Sequence, residues 1–235
     1  MRLTTERWRR WAGAIGLVVM ATPPPFGFTP GHVFVNTGVQ TLGALTPASR
    51  ISSYAAANRE LLAFDLLGEI VLALSLVCFA ALLLRLGRGD EAASTAGLIG
   101  FGAAIASGAL VLVAVGGGVG IIELAPSSDY SSISSLWLFI HGVSAVVLLP
   151  MATFMGTTGW VILRRRALPL WVGWYSLVIA VIILLSGLDI VTNVTSIANS
   201  WPFGSGGLPA TTSLWAIVLS LALLIERRTT SLASP

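Results

Sequence analysis

Apolar stretches of membrane-spanning length recur along almost the whole chain, separated by short runs of polar and turn-forming residues. A spanning helix needs about 20 mainly apolar residues. Six stretches meet or approach that length, over about residues 11–28, 61–84, 96–122, 136–163, 170–191 and 212–225. The pattern predicts an all-α fold: a polytopic transmembrane bundle of six helices forming one integral membrane domain over residues 1–235. The first stretch is the least regular, because Pro23, Pro24 and Pro25 remove three backbone donors soon after its strongly apolar part ends. A basic start followed by a short apolar run also describes a secretion signal. No small-x-small cleavage site follows, so a retained helix is the expectation. Residues 29–58 are turn-rich, with Pro30, Gly31, Asn36, Gly38, Gly43 and Pro47, and are expected to form an outer loop capping the bundle.

Charge orients these spans. The chain holds thirteen arginines, no lysine and ten acidic residues, for a net charge of +3. Arg-rich loops stay in the cytoplasm. Arg2, Arg7, Arg9 and Arg10 precede the first span, Arg85 and Arg88 follow the second, Arg164, Arg165 and Arg166 follow the fourth, and Arg227 and Arg228 follow the sixth. In a six-span arrangement all four groups share one side, leaving Arg50 and Arg59 on the other. Both termini are therefore expected in the cytoplasm of a bacterial inner membrane. Charged residues make up 10% of the chain, against roughly 25% in a soluble domain. The arginines form no continuous basic face, which excludes a nucleic-acid partner. Without lysine no retinal Schiff base can form. The single cysteine, Cys78, excludes an internal disulfide or CxxC site and is expected to be a small buried hydrophobe.

Small residues point to close helix packing. Gly100, Ala104 and Gly108 recur every four residues, a spacing that lets helices approach closely in lipid. The run Gly116-Gly117-Gly118-Val119-Gly120 weakens helix, and a break lining a cavity is one expectation there. Trp137, Trp160, Trp171, Trp174, Trp201 and Trp215 lie near the ends of spans, as an interfacial aromatic belt requires.

Ionisable groups inside a span are costly and usually face a bundle interior or a water-filled cavity. Asp65 and Glu69 lie four apart on one face of the second span, roughly 6 to 12 Å below its start. His141 lies roughly 8 Å into the fourth span, and Asp189 lies near the outer end of the fifth. All four fall in the outer part of the membrane, so a shared polar pocket is one reading and packing glue is the other. Within a pocket Glu69, the deepest carboxyl, and His141 could exchange protons. No short-range ligand motif accompanies these residues, and no metal or cofactor is expected.

The stretch Leu163–Leu185, LRRRALPLWVGWYSLVIAVIILL, resembles a large family of six-helix bacterial membrane proteins of unassigned function. A basic cytoplasmic loop, a Leu-Pro pair and a Trp-x-Gly-Trp-like helix start recur there in that family. The resemblance implies a fold and no activity. Three functional classes fit the residues. The leading one is a non-enzymatic membrane protein that binds a partner subunit or an apolar ligand besides the lipid bilayer. The second is an intramembrane enzyme using carboxylate acid-base chemistry on a lipid or isoprenoid, as terpene cyclases do. The third is a small proton-coupled transporter.

Overall fold

The computed structural model describes residues 11–15, 46–127, 129–192 and 207–225. Among them all regular structure is helical: α1 (Ala48–Ala57), α2 (Arg59–Leu83), α3 (Glu91–Leu124), α4 (Tyr130–Val146), α5 (Leu148–Arg165), α6 (Leu170–Thr192) and α7 (Gly207–Ile225), with residues 11–15 also helical. Three helical stretches, Arg59–Gly87, Glu91–Ser127 and Tyr130–Arg165, are long and apolar enough to cross a membrane, with mean hydropathies of 2.5, 2.4 and 1.9. Leu170–Ser186 and Leu214–Ile225 are shorter apolar helices. Residues 16–28 of the first expected span, most of the expected outer loop, and Trp201 lie outside the described residues.

The helices run past the apolar windows because polar caps extend them. Asp90 precedes α3 and its carboxylate accepts from the Ala93 amide at 2.8 Å, placing Glu91 to Thr95 inside the helix. Asp129 does the same for α4, accepting from the Ser132 amide at 3.2 Å. Such carboxylates satisfy donors that a helix start leaves open. The fourth span is two helices meeting at Val147. Pro150 has no amide proton to offer the carbonyl of Val146, so the helical pattern breaks there, then resumes through Met151 N–H to Val147 O at 3.2 Å.

α3 is the axis of the bundle and packs against α2, α4 and α5. A Cβ on Gly108 would stand 3.3 Å from the Ala73 carbonyl oxygen of α2, while one on Gly100 would collide with the Thr157 hydroxyl of α5. The glycine run does not break the helix. α3 continues through it, and a Cβ on Gly117 would come within 2.8 Å of Ile140 Cγ1. These glycines serve the close approach of α4. α5 and α6 form the most extensive pair, crossing so closely that a Cβ on Gly159 would lie 2.8 Å from the Gly173 carbonyl oxygen.

Two expectations about single residues are corrected. Cys78 is exposed on α2 rather than buried, because the outward face of this helix, with Leu67, Val71 and Leu74, is as apolar as its inward one. Trp137 and Trp215 are each only 2% exposed and belong to the interior, not to an aromatic belt. Trp215 stands edge-on to Phe79 of α2 at 6.3 Å and to Phe154 of α5 at 5.5 Å. Its indole Nε1–H donates to the Ser176 hydroxyl of α6 at 2.8 Å, and that hydroxyl donates to the Val172 carbonyl at 2.8 Å. One side chain of α7 thus locks four helices together.

The backbone contact at Gly159 gives a direct test. Gly159→Ala places a methyl against Gly173 O and Leu177 N, neither of which can rotate away, and should destabilise by about 1–3 kcal/mol. Gly102→Ala, where no described residue lies within 4 Å, should keep stability or raise it by up to about 1 kcal/mol through helix propensity. Thermal unfolding of the two variants in mild detergent measures the contrast.

Candidate functional site

The four polar residues singled out in the spans are placed as follows. Asp65 and Glu69 both lie on α2, one helical turn apart, and Glu69 is half-buried. Because α2 starts at Arg59, Glu69 is about 15 Å along its axis, deeper than the apolar boundary implies. His141 is half-buried on α4 and about 16 Å from its start at Tyr130. Asp189 lies in the last turn of α6.

The starts of α2 and α4 lie at the same end of the bundle, where Arg59 pairs with Glu123 near the end of α3 at 2.6 Å. Glu69 and His141 are therefore at a common depth, on two helices that each pack against α3. Their helical neighbours Leu66 and Ile70 on α2, and Trp137 and Ile140 on α4, belong to one apolar cluster. The His141 Nδ1 lies 2.9 Å from the Trp137 carbonyl oxygen, and its ring stands edge-on to the Trp137 indole at 4.6 Å. A carbonyl only accepts, so Nδ1 carries the proton in that bond and the ring orientation is set by its own helix. Among the described residues no three His, Cys, Asp or Glu side chains group as a metal site.

α1 closes this end. Its Ile51, Ser52 and Ala55 are buried against α3 and α4, and Ser52 Oγ donates to the Ala125 carbonyl oxygen at 2.8 Å. That bond satisfies one of the carbonyls that the end of α3 would leave open. The turn-forming composition of residues 29–58 hid this helix, whose buried face is only Ile51, Ser52 and Ala55.

The opposite end carries the basic loops. Arg164 Nε donates to both Asp90 carboxylate oxygens, at 3.0 and 3.1 Å, and its guanidinium lies 5.4 Å from the centre of the Trp160 indole. Arg165 donates to the Arg88 carbonyl at 2.9 Å. The loop between α2 and α3 is thereby tied to the end of α5, with Gly89 turning at φ +87 beneath Arg165. An open groove beside this knot is lined by Asp90, Glu91, Thr95, Ala96, Ile99 and Arg164. A second gap, of about 10 Å³, lies between Leu84, Gly97, Gly100 and Thr157. Neither is lined by Glu69 or His141. Two buried hydroxyls, Tyr175 Oη and Ser220 Oγ, have no hydrogen-bond partner among the described residues. Polarity alone does not mark them in the sequence, because Ser and Tyr inside a span usually bond their own helix or a neighbour.

The Asp90 carboxyl is held below its ordinary range, first by the Ala93 amide and next by the Arg164 guanidinium. A depressed folded value stabilises the fold above the ordinary aspartate value and loses that contribution as pH falls through the folded one. The stability difference between the wild type and Asp90→Asn should therefore be constant near neutrality and shrink as pH falls below 3.8, read by thermal unfolding from neutral to acid pH. No protein-family model, curated protein or solved structure matches this chain.

Proposed function

We propose that the chain is a six-span protein of the bacterial inner membrane, with both termini in the cytoplasm, that works by binding a partner membrane helix. The observation that carries this reading is the outward face of α3. Gly102, Ala106, Ala109, Val113 and Gly116 are all exposed and follow one another at alternating steps of four and three residues. That is the spacing of a seam along one side of a helix. Among the described residues nothing lies within 4 Å of the Cβ positions of Gly102 and Gly116. Small residues are the usual means of close helix approach in lipid, where apolar side chains gain nothing from leaving lipid for one another. The interior offers less to bind. Trp215, Phe79, Phe154, Met155, Leu219 and Leu223 fill it, all at most 2% exposed.

The topology is supported by how the ends group. Arg164 and Arg165 meet the Asp90 loop at one end, and Gly13 lies so close to Leu224 that a Cβ there would be 2.7 Å from its Cγ. Gly13 thus adjoins the last turn of α7. Alkaline phosphatase fused after Ser127 should be active outside the cytoplasm, and a fluorescent protein fused after Pro235 should mature inside it. The reverse pattern at either site overturns the six-span arrangement.

For the partner reading, native mass spectrometry of the protein in mild detergent is expected to show an added polypeptide, whether a second copy or another subunit. Gly102→Leu with Gly116→Leu should remove it. A bare monomer from the wild type overturns the reading. An added mass of lipid or isoprenoid size, without a protein, that Gly102→Leu with Gly116→Leu removes assigns the seam to an apolar ligand instead.

A further inference from the structure

The basic end carries more positive charge than its internal pairing uses. Residues 84–91 and 164–169 bring five arginines together with two acids, Asp90 and Glu91. Arg164 takes the Asp90 carboxylate, and Arg165 spans to the Arg88 carbonyl, fixing the two loops side by side. The guanidinium groups of Arg85, Arg88 and Arg166 pair with no carboxylate among the described residues. Arg88 and Arg166 are exposed, and Arg85 is half-buried.

Exposed cations facing bulk water are ordinary. The tryptophans set these apart. Trp171 and Trp174, in the first two turns of α6, are 59% and 62% exposed, and Trp160, five residues before the end of α5, is 38% exposed. All three lie at the arginine end, where Gly159 and Gly173 bring α5 and α6 together. An exposed indole in a spanning helix settles at the boundary between headgroups and acyl chains. The loops carrying Arg85, Arg88 and Arg166 then stand one step further out, at the level of the phosphates. A guanidinium at that level has the planar donor geometry that a phosphate oxygen pair accepts.

We infer that this end is a binding site for an anionic phospholipid, its phosphodiester held among Arg85, Arg88 and Arg166 and its acyl chains lying along the Trp171 and Trp174 face of α6. Among the described residues the opposite end holds two arginines, Arg50 and Arg59, and Arg59 is taken by Glu123. The inference rests on the membrane-spanning reading but not on its orientation.

The test is native mass spectrometry of the full chain in a zwitterionic detergent with equimolar phosphatidylglycerol and phosphatidylcholine. The wild type is expected to retain phosphatidylglycerol preferentially. Each arginine removed should lower that preference roughly fivefold. The triple variant Arg85→Gln, Arg88→Gln, Arg166→Gln should lose it, and Arg50→Gln at the other end should keep it. Arg166→Gln alone, which breaks no pair, repeats the test should the triple variant fail to fold. Equal retention of the two lipids by the wild type, or an unchanged preference in the folded variants, overturns the inference. Displacement of the lipid by millimolar glycerol 3-phosphate also overturns it, assigning the arginines to a soluble phosphate ester. The measurement needs no membrane sidedness, so a failed topology reporter and a failed lipid preference are separable outcomes.

Discussion

Close approach of helix backbones is the constraint on which the bundle depends. Helices in lipid gain little from hiding apolar surface, so they hold together by fitting closely. Here the fit is made by positions without a side chain. Gly108 meets α2, Gly100 meets α5, Gly117 meets α4, and Gly159 with Gly173 lets α5 and α6 touch backbone to backbone. α3 can be the axis because its glycines serve three partners at different heights. The aromatic cluster around Trp215 works by the opposite means, one large side chain filling the space where four helices converge.

Polar groups follow a second constraint, since an unpaired donor or acceptor at membrane depth is costly. Most side-chain hydroxyls answer it within their own helix, as Ser107, Thr153, Thr158 and Ser186 do by donating to carbonyls four residues back. Ser176 does the same while also receiving Trp215 from another helix, and Ser52 reaches across to cap α3. At the ends of the bundle charge takes over. Asp90 starts α3 and anchors Arg164 with the same carboxylate, so one residue both begins a long apolar helix and ties it to a neighbour. The exterior of the helices is apolar, while Arg85, Arg88 and Arg164 to Arg166 gather at one end of the bundle.

Much of this was legible in the chain. The second through sixth apolar stretches coincide with helices α2 through α7, α4 and α5 together making one of them. The four-residue spacing of Gly100, Ala104 and Gly108 correctly identified packing positions, all three being buried. The caps Asp90 and Asp129 lie in the polar runs between the apolar stretches, where an apolar window does not reach, so each helix starts several residues before its apolar stretch. The glycine run misled in the other direction. Glycine weakens an isolated helix, yet inside a bundle the contact it permits with Ile140 outweighs that tendency. Trp137 and Trp215 could not be told from interfacial tryptophans, since position near a span end is the same for both.

The sequence by itself determined the helical class, the membrane-length spans and the clustering of arginine between them. Those follow from local composition, because lipid demands apolar surface and internally satisfied backbone over a set length. Tertiary structure alone decided which face of each helix meets a neighbour, which tryptophans turn inward, and that Arg164 finds Asp90 74 residues away. In a water-soluble helix the polar face reveals the outside. A helix coated in lipid is apolar on every side, so only the packing distinguishes core from surface.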